Sequence, residues 1–298
     1  MLVAGAGGGF DVFCGLPLAL QLVEAGKQVC FANLSFTYLG GTDAELLAPA
    51  LYRVTAETQG ERYCPERSLA RWLVARGLAG EVFAFEKTGV QPLSAAYQTL
   101  QQRLGFDAVV LVDGGTDILM RGDEAGLGTP EEDMTSLAAV ASLGLPKSVV
   151  VCLGFGIDAF HGVCHAHFLE NVAALEREGG YLGAFSVSRH TPEGAGFLDA
   201  VAQAQADHPN RASIVNGSIA AAVRGEFGNA QFTSRTQDSE LFINPLMGLY
   251  FTFDLPSVVS RSLYLESLAE TQTIFEVSAR IEAFRHQVKQ RPYRGIPG

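Results

Sequence analysis

An α/β fold built on a doubly wound, mostly parallel sheet is what this sequence predicts, and three observations lead to it. Runs such as Val109-Val110-Leu111-Val112 and Val149-Val150-Val151-Cys152-Leu153 are continuously apolar, as strands buried on both faces must be. These runs alternate with stretches of helical period over short connections, the pattern of strand–helix–strand units. Several of the runs end in glycine and aspartate, the residues that line ligand sites at the carboxyl ends of parallel strands. In outline the arrangement is Rossmann-like. Strands are expected near residues 2–6, 28–32, 81–85, 108–112, 148–153 and 183–188. A single α/β domain over 1–298 is expected, with a Rossmann-like core over 1–212 and a helical C-terminal subdomain over 213–298.

Taken in order, Leu2 to Ala6 is the first strand and Gly7-Gly8-Gly9 a loop, after which Phe10 to Ala25 has helical spacing and stops at Gly26. Gln28 to Ala32 is the second strand. Thr42 and Glu45 have the spacing of a capping box and predict a short helix. Pro65 opens an amphipathic helix carrying Leu69, Trp72 and Leu73 to Gly77, and Leu93 to Leu104 is another. After the central strand, Thr129-Pro130-Glu131-Glu132-Asp133 reads as a helix start, with Thr129 as N-cap and three acids favouring the positive end of the dipole. That structural role suffices to explain those carboxylates. Thr191-Pro192 opens a helix through Ala206, and Ser213 to Val223 forms one more. Phe242 to Phe253 is strongly apolar and aromatic. Helical segments follow from Pro256 to about Val288, and prolines keep the tail from Arg291 to Pro297 out of a regular helix.

Composition narrows the functional classes. The 298 residues carry a net charge of -11, with 32 acidic against 21 basic residues. That balance argues against a nucleic-acid partner, whose phosphates need a concentrated basic surface. A small-molecule substrate is expected, and homo-oligomerisation is left open. The five cysteines are odd in number and set mostly in apolar runs, which fits reduced core residues in a cytoplasmic protein. With no basic n-region before the first strand and no run of ~18 apolar residues, neither secretion nor membrane spanning is expected.

The chemistry concentrates in a few loops. Asp113 ends the central strand, Gly114 and Gly115 follow, and Asp117 lies across the same tight turn, with Asp123 and Glu124 extending the acidic run. Asp and Gly are also ordinary turn residues. Asp158 repeats the pattern after the next strand, so the two loops would line one cleft. Gly5 near the end of the first strand and the loop Gly7, Gly8 and Gly9 stand ahead of a helix, where free N–H groups suit an anion or phosphate, and are candidate cofactor-binding residues with Gly114 and Gly115. The dinucleotide fingerprint fails at Phe10, where its third glycine belongs, and again at Asn33, where an acid for a ribose is expected. NAD(P) is therefore a minority cofactor. No lysine followed by Ser or Thr closes the glycine run, which excludes a P-loop. Asp11 is either a ligand-facing carboxylate or a charge suited to the helix dipole. Asp113 and Asp117 are candidate ligands for Mg2+ bridging to phosphate. His161 and His165, four apart, would share a helix face and are candidate zinc ligands with Cys164 or Asp158. Histidines beside carboxylates also suit proton transfer. Arg189 is a candidate anion clamp, although a strand-end arginine is commonly a surface residue.

The stretches GAGGGFDVFCGLPLALQL, VDGGTDILMRGDEAGLGTPEEDM and NPLMGLYFTFDL together resemble the diagnostic segments of an uncharacterised prokaryotic domain-of-unknown-function family. The resemblance implies one unit spanning the chain and carries no activity with it. From the chemistry alone, the expected function is a small-molecule enzyme binding a nucleotide or sugar phosphate at the Gly/Asp cleft. It would act as a hydrolase or group transferase, with Asp113, Asp117, Asp158 and His161 as catalytic residues. The alternatives are an NAD(P)-binding oxidoreductase and a non-catalytic metabolite-binding protein.

Overall fold

All six strands expected from the apolar runs form in the computed structural model, which describes residues 1–296. They are β1 (Leu2–Gly5), β2 (Cys30–Leu34), β5 (Glu81–Phe85), β6 (Ala108–Asp113), β7 (Lys147–Cys152) and β8 (Tyr181–Ser186). Three more strands, β3 (Glu45–Ala48), β4 (Leu51–Thr55) and β9 (Leu249–Asp254), complete a nine-stranded sheet in the order β3-β4-β5-β2-β1-β6-β7-β9-β8. The central strands β5, β2, β1, β6 and β7 are parallel to one another. Only β4 and β9 run against the rest.

Burial on both faces explains the unbroken apolar runs. Leu2, Ala4, Val109 and Leu111 face one core cluster, which Leu93, Leu100, Met134 and Leu137 complete from α4 (Val90–Leu104) and α5 (Pro130–Ala141). Val3, Val110 and Val112 face a second cluster with Leu16, Leu69, Trp72 and Phe197. Those four come from α2 (Leu16–Glu24), α3 (Pro65–Val74) and α7 (Pro192–Asp207). The sheet is thus covered by helices on both sides. Chain order reverses at β1, which pairs with β2 on one side and β6 on the other. The connections leave those two strand ends in opposite directions, the position at which open α/β sheets form their binding crevice.

Three expectations change. Thr42 and Glu45 open no helix: the Thr42 hydroxyl donates to Leu39 O at 2.7 Å and accepts from Ala44 N at 3.2 Å, closing a turn. Glu45 to Ala48 then pairs with β4. The helix expected over 10–25 divides at Gly15 into α1 (Asp11–Cys14) and α2. The segment beyond 213 is not wholly helical either, because the aromatic run supplies β9, held between β7 and β8 with Tyr250 and Phe253 fully buried. It otherwise carries α8 (Ile214–Arg224), α9 (Leu255–Arg261) and α10 (Ile274–Gln287). Among the described residues no helix is long and apolar enough to cross a membrane. The expected non-helical tail has no regular structure as far as Ile296, and Pro297 lies outside the described residues.

Candidate functional site

Carboxylates reach the crevice from four segments. Asp11 begins α1 after the glycine loop, and Asp113 is the last residue of β6. Asp117 follows four residues later, past Gly114, Gly115 and Thr116, Asp158 stands in the turn after β7, and Asp133 projects from the first turn of α5. All five are buried. One oxygen each from Asp11, Asp113 and Asp133 lie within 4.8 Å of one another.

Backbone donors position most of the group. Asp11 Oδ2 accepts from Gly7 N at 2.8 Å, and Asp158 Oδ2 from Thr116 N at 2.6 Å and its hydroxyl at 3.2 Å. Asp117 Oδ2 accepts from Thr129 N at 2.7 Å and its hydroxyl at 3.2 Å, and Asp113 Oδ2 from Ile118 N at 3.4 Å. Asp133 differs, because its buried Oδ1 has no hydrogen-bond partner. Glycine is required where these groups converge. A Cβ on Gly7 would lie 2.7 Å from Asp11 Oδ2 and 2.9 Å from Asp133 Oδ1; one on Gly114 would lie 2.6 Å from Asp11 Oδ1, and one on Gly115 2.9 Å from both Asp158 oxygens.

Burial is the largest cause of the titration behaviour. It pushes Asp11 up to about 7, against the lowering effect of the Gly114 and Gly7 amides. Asp113, Asp133 and Asp158 are held far above the usual carboxylate range, first by burial and then by the neighbouring carboxylates. Asp117 is raised by burial, with Thr129 and His161 opposing. Among the described residues none of the five forms an ion pair with a basic side chain. Like charges this close in a low dielectric cannot all ionise without a counter-charge. The cluster therefore holds protons or takes up a cation.

Gly5 ends β1, and Gly7, Gly8, Gly9, Gly114 and Gly115 lie in the two loops flanking this cluster. Asn33 serves a different purpose from the ribose acid it replaces. It is fully buried and donates to Gly9 O and Glu66 Oε1, each at 2.8 Å, bracing the glycine loop. At the rim, Phe36 is half-exposed and packs on Gly8 and Gly9, with the Lys87 ammonium 5.3 Å from its ring. Arg211 lies 5.3 Å from the ring of Tyr63, whose hydroxyl is close to Gly9.

Other expected residues do not join the cluster. His161 is exposed at the end of a 3-10 turn over Ile157–His161. His165 starts a separate helix, α6 (His165–Glu178), and meets Phe155 edge-to-face with ring centroids 5.1 Å apart. Cys164 donates from Sγ to Arg294 O at 2.9 Å. The glycine-flanked turn separates the two histidines onto different elements, so no single helix face presents them as a zinc pair. The one three-ligand group among the described residues is the all-oxygen set Asp11, Asp113 and Asp133, a donor chemistry for a hard cation rather than zinc. Arg189 is exposed and donates to Arg224 O at 3.0 Å, outside the crevice. Asp123 and Glu124 also turn away: Glu124 accepts from Arg121 N, Gly122 N and Asn171 Nδ2, and both acids pair with Arg291.

Sequence reasoning missed Asp133. Its two neighbours have the structural roles expected of first-turn acids, Glu132 pairing with Lys87 and Glu131 accepting from Ser278 Oγ at 3.0 Å. Thr129 forms no capping bond of its own and donates to Asp117 instead. The signal in the sequence was a third acid in a turn already supplied with two. No curated protein and no solved structure matches the chain. A family model described as "Protein of unknown function (DUF1152)" matches residues 41–287, most of the chain, and the chain belongs to that family.

Proposed function

We propose that the protein is an enzyme of the cytoplasm that binds a nucleotide or sugar phosphate in the crevice between β1 and β6 and hydrolyses it or transfers a group from it. The observation that carries this reading is the convergence of Asp11, Asp113, Asp117, Asp133 and Asp158, all buried, at the point where strand order reverses. A cluster of carboxyls whose pKa values are raised to different extents can supply both parts of an acid–base pair once a substrate or cation draws a proton from one of them. One ionised carboxylate activates water or a hydroxyl, and a neutral acid protonates the leaving group. Asp11, with its pKa pushed up to about 7, changes state near neutral pH. Gly8 and Gly9 are buried at positive φ beside Lys87 and Phe36, a setting in which a phosphate meets backbone and cation and a base or sugar meets an aromatic face. Five free cysteines fit a reducing compartment.

The test is a thermal-shift screen of nucleotides and sugar phosphates, with and without Mg2+, followed by assay of each stabilising compound for turnover. A stabilising compound that is consumed supports the reading; one that is bound and returned unchanged makes the protein a sensor. With a substrate in hand, Asp113→Asn and Asp117→Asn should each lower turnover on the order of a hundredfold with the fold intact. Full activity in both variants, or no stabilisation by any compound, overturns the proposal.

A further inference from the structure

We propose that Asp11, Asp113 and Asp133 form a binding site for one hard divalent cation, Mg2+ or Mn2+, at the carboxyl end of β1 and β6. The inference deepens the phosphate reading above, since a cation bridging to phosphate oxygens is the role it would have, but its geometry stands without that reading.

Three observations meet at one point. The oxygens of the triad converge within 4.8 Å, coming from α1, β6 and α5. In an octahedral Mg2+ site with oxygens at about 2.1 Å, ligands sit roughly 3 Å apart in cis and about 4.2 Å in trans, so small inward side-chain movements complete a three-ligand face. The second observation is Asp133 itself, 1 % exposed with Oδ1 lacking any hydrogen-bond partner. A buried polar atom left unpaired costs free energy that a ligand would recover. The third is Gly7, whose missing side chain leaves the space between Asp11 Oδ2 and Asp133 Oδ1 open. All donors are carboxylate oxygens, and no imidazole or thiolate shares the set, which favours Mg2+ or Mn2+ over softer metals. Asp117 and Asp158 accept from Thr129 and Thr116 and lie outside the triad. Binding forms metal–oxygen bonds only, and any proton held by the three carboxyls passes to solvent.

The experiment is titration of Mn2+ alone into EDTA-treated, desalted protein, reading free aqueous Mn2+ by its electron paramagnetic resonance signal. One Mn2+ per chain is expected for the wild type. Asp133→Asn and Gly7→Ala should each weaken binding at least tenfold while circular dichroism stays unchanged, the first by removing a ligand and the second by filling its space. Glu131→Gln, in the same helical turn but bound to Ser278, should bind as the wild type does. Folded wild type that leaves the Mn2+ signal undiminished overturns the proposal, and identifies the triad as a proton-sharing cluster. Unaltered binding in folded Asp133→Asn and Gly7→Ala also overturns it. The two readings fail separately: Mn2+ uptake with no phosphorylated compound bound removes only the function proposed above, and stabilisation by such a compound in EDTA without Mn2+ uptake removes only the cation.

Discussion

At Asp11 a single buried carboxyl with its pKa pushed up to about 7 links the site to stability. A raised pKa means that the folded state holds its proton more tightly than the unfolded chain does. The stabilisation is fully present below the unfolded value, near 4, and is lost as pH rises through about 7. Asp113, Asp117, Asp133 and Asp158 are raised as well and act in the same direction. Glu132 with its Lys87 partner, Cys14, Cys152, Tyr63, Tyr264 and the rim residue His161 are the other titratable groups coupled to them. In EDTA, the melting temperature at pH 5 should therefore exceed that at pH 8 by at least several degrees. Asp11→Asn, which cannot ionise, should reduce the difference without removing it, because the other four carboxyls remain. Differential scanning calorimetry across that range decides it, and a melting temperature that climbs with pH contradicts buried, protonated carboxyls.

The division of the first helix at Gly15 decides where Asp11 stands. A Cβ at Gly15 would lie 2.4 Å from Val3 Cγ1 and 3.3 Å from Val112 Cγ2, so the chain passes closer to β1 and β6 than any side chain allows. That approach seats α1 over the strand ends and turns Asp11 toward Asp113. Gly15→Ala must push the helices off the sheet or displace two core valines, at a cost of about 1–3 kcal/mol, the usual scale of overpacking. Urea denaturation should show a lower midpoint with an unchanged slope. An unshifted midpoint would mean that this packing yields without cost. Helix ends elsewhere follow local rules: Thr191, Ser213 and Thr273 each cap their helix through a side-chain oxygen.

Across the whole molecule, late parts of the chain secure early ones. β9 enters between β7 and β8, and the segment beyond α10 returns to the acidic loop after β6. There the Arg291 amide donates to Asp123 O at 2.7 Å, while its guanidinium reaches Asp123 at 3.0 Å and the fully buried Glu124 at 3.3 Å. Arg285 donates to the Gly122 and Glu124 carbonyls at 2.8 and 2.7 Å. Glu124 keeps its amide donors when Arg291 is removed, so Arg291→Ala should cost about 1–3 kcal/mol rather than unfold the protein. Hydrogen exchange should rise at Arg121 and Gly122, whose amides Glu124 accepts. Unchanged exchange there would show that the tail has no hold on the loop.

What the sequence determined by itself is whatever burial and chain direction write locally. The unbroken run before Asp113 identified a strand covered on both faces, and Asp113, Asp117 and Asp158 were marked as site residues because each follows such a strand within a few positions. Only tertiary packing decided the rest. Three consecutive acids open α5, and successive side chains on a helix diverge by about 100°, so which of Glu131, Glu132 and Asp133 turns inward depends on how that helix lies against the sheet. Arg189 sits at a strand end, as an anion clamp would, but on a strand at the sheet's edge, remote from the reversal of strand order. His161 and His165 have metal-ligand spacing that a turn and a helix start undo. The segments Glu45–Ala48 and Leu249–Asp254 became strands because neighbouring strands offered them backbone partners, the first in a hairpin with the strand that follows it and the second about a hundred residues from its partner in β7, and β-propensity depends on such context more than on the segment itself.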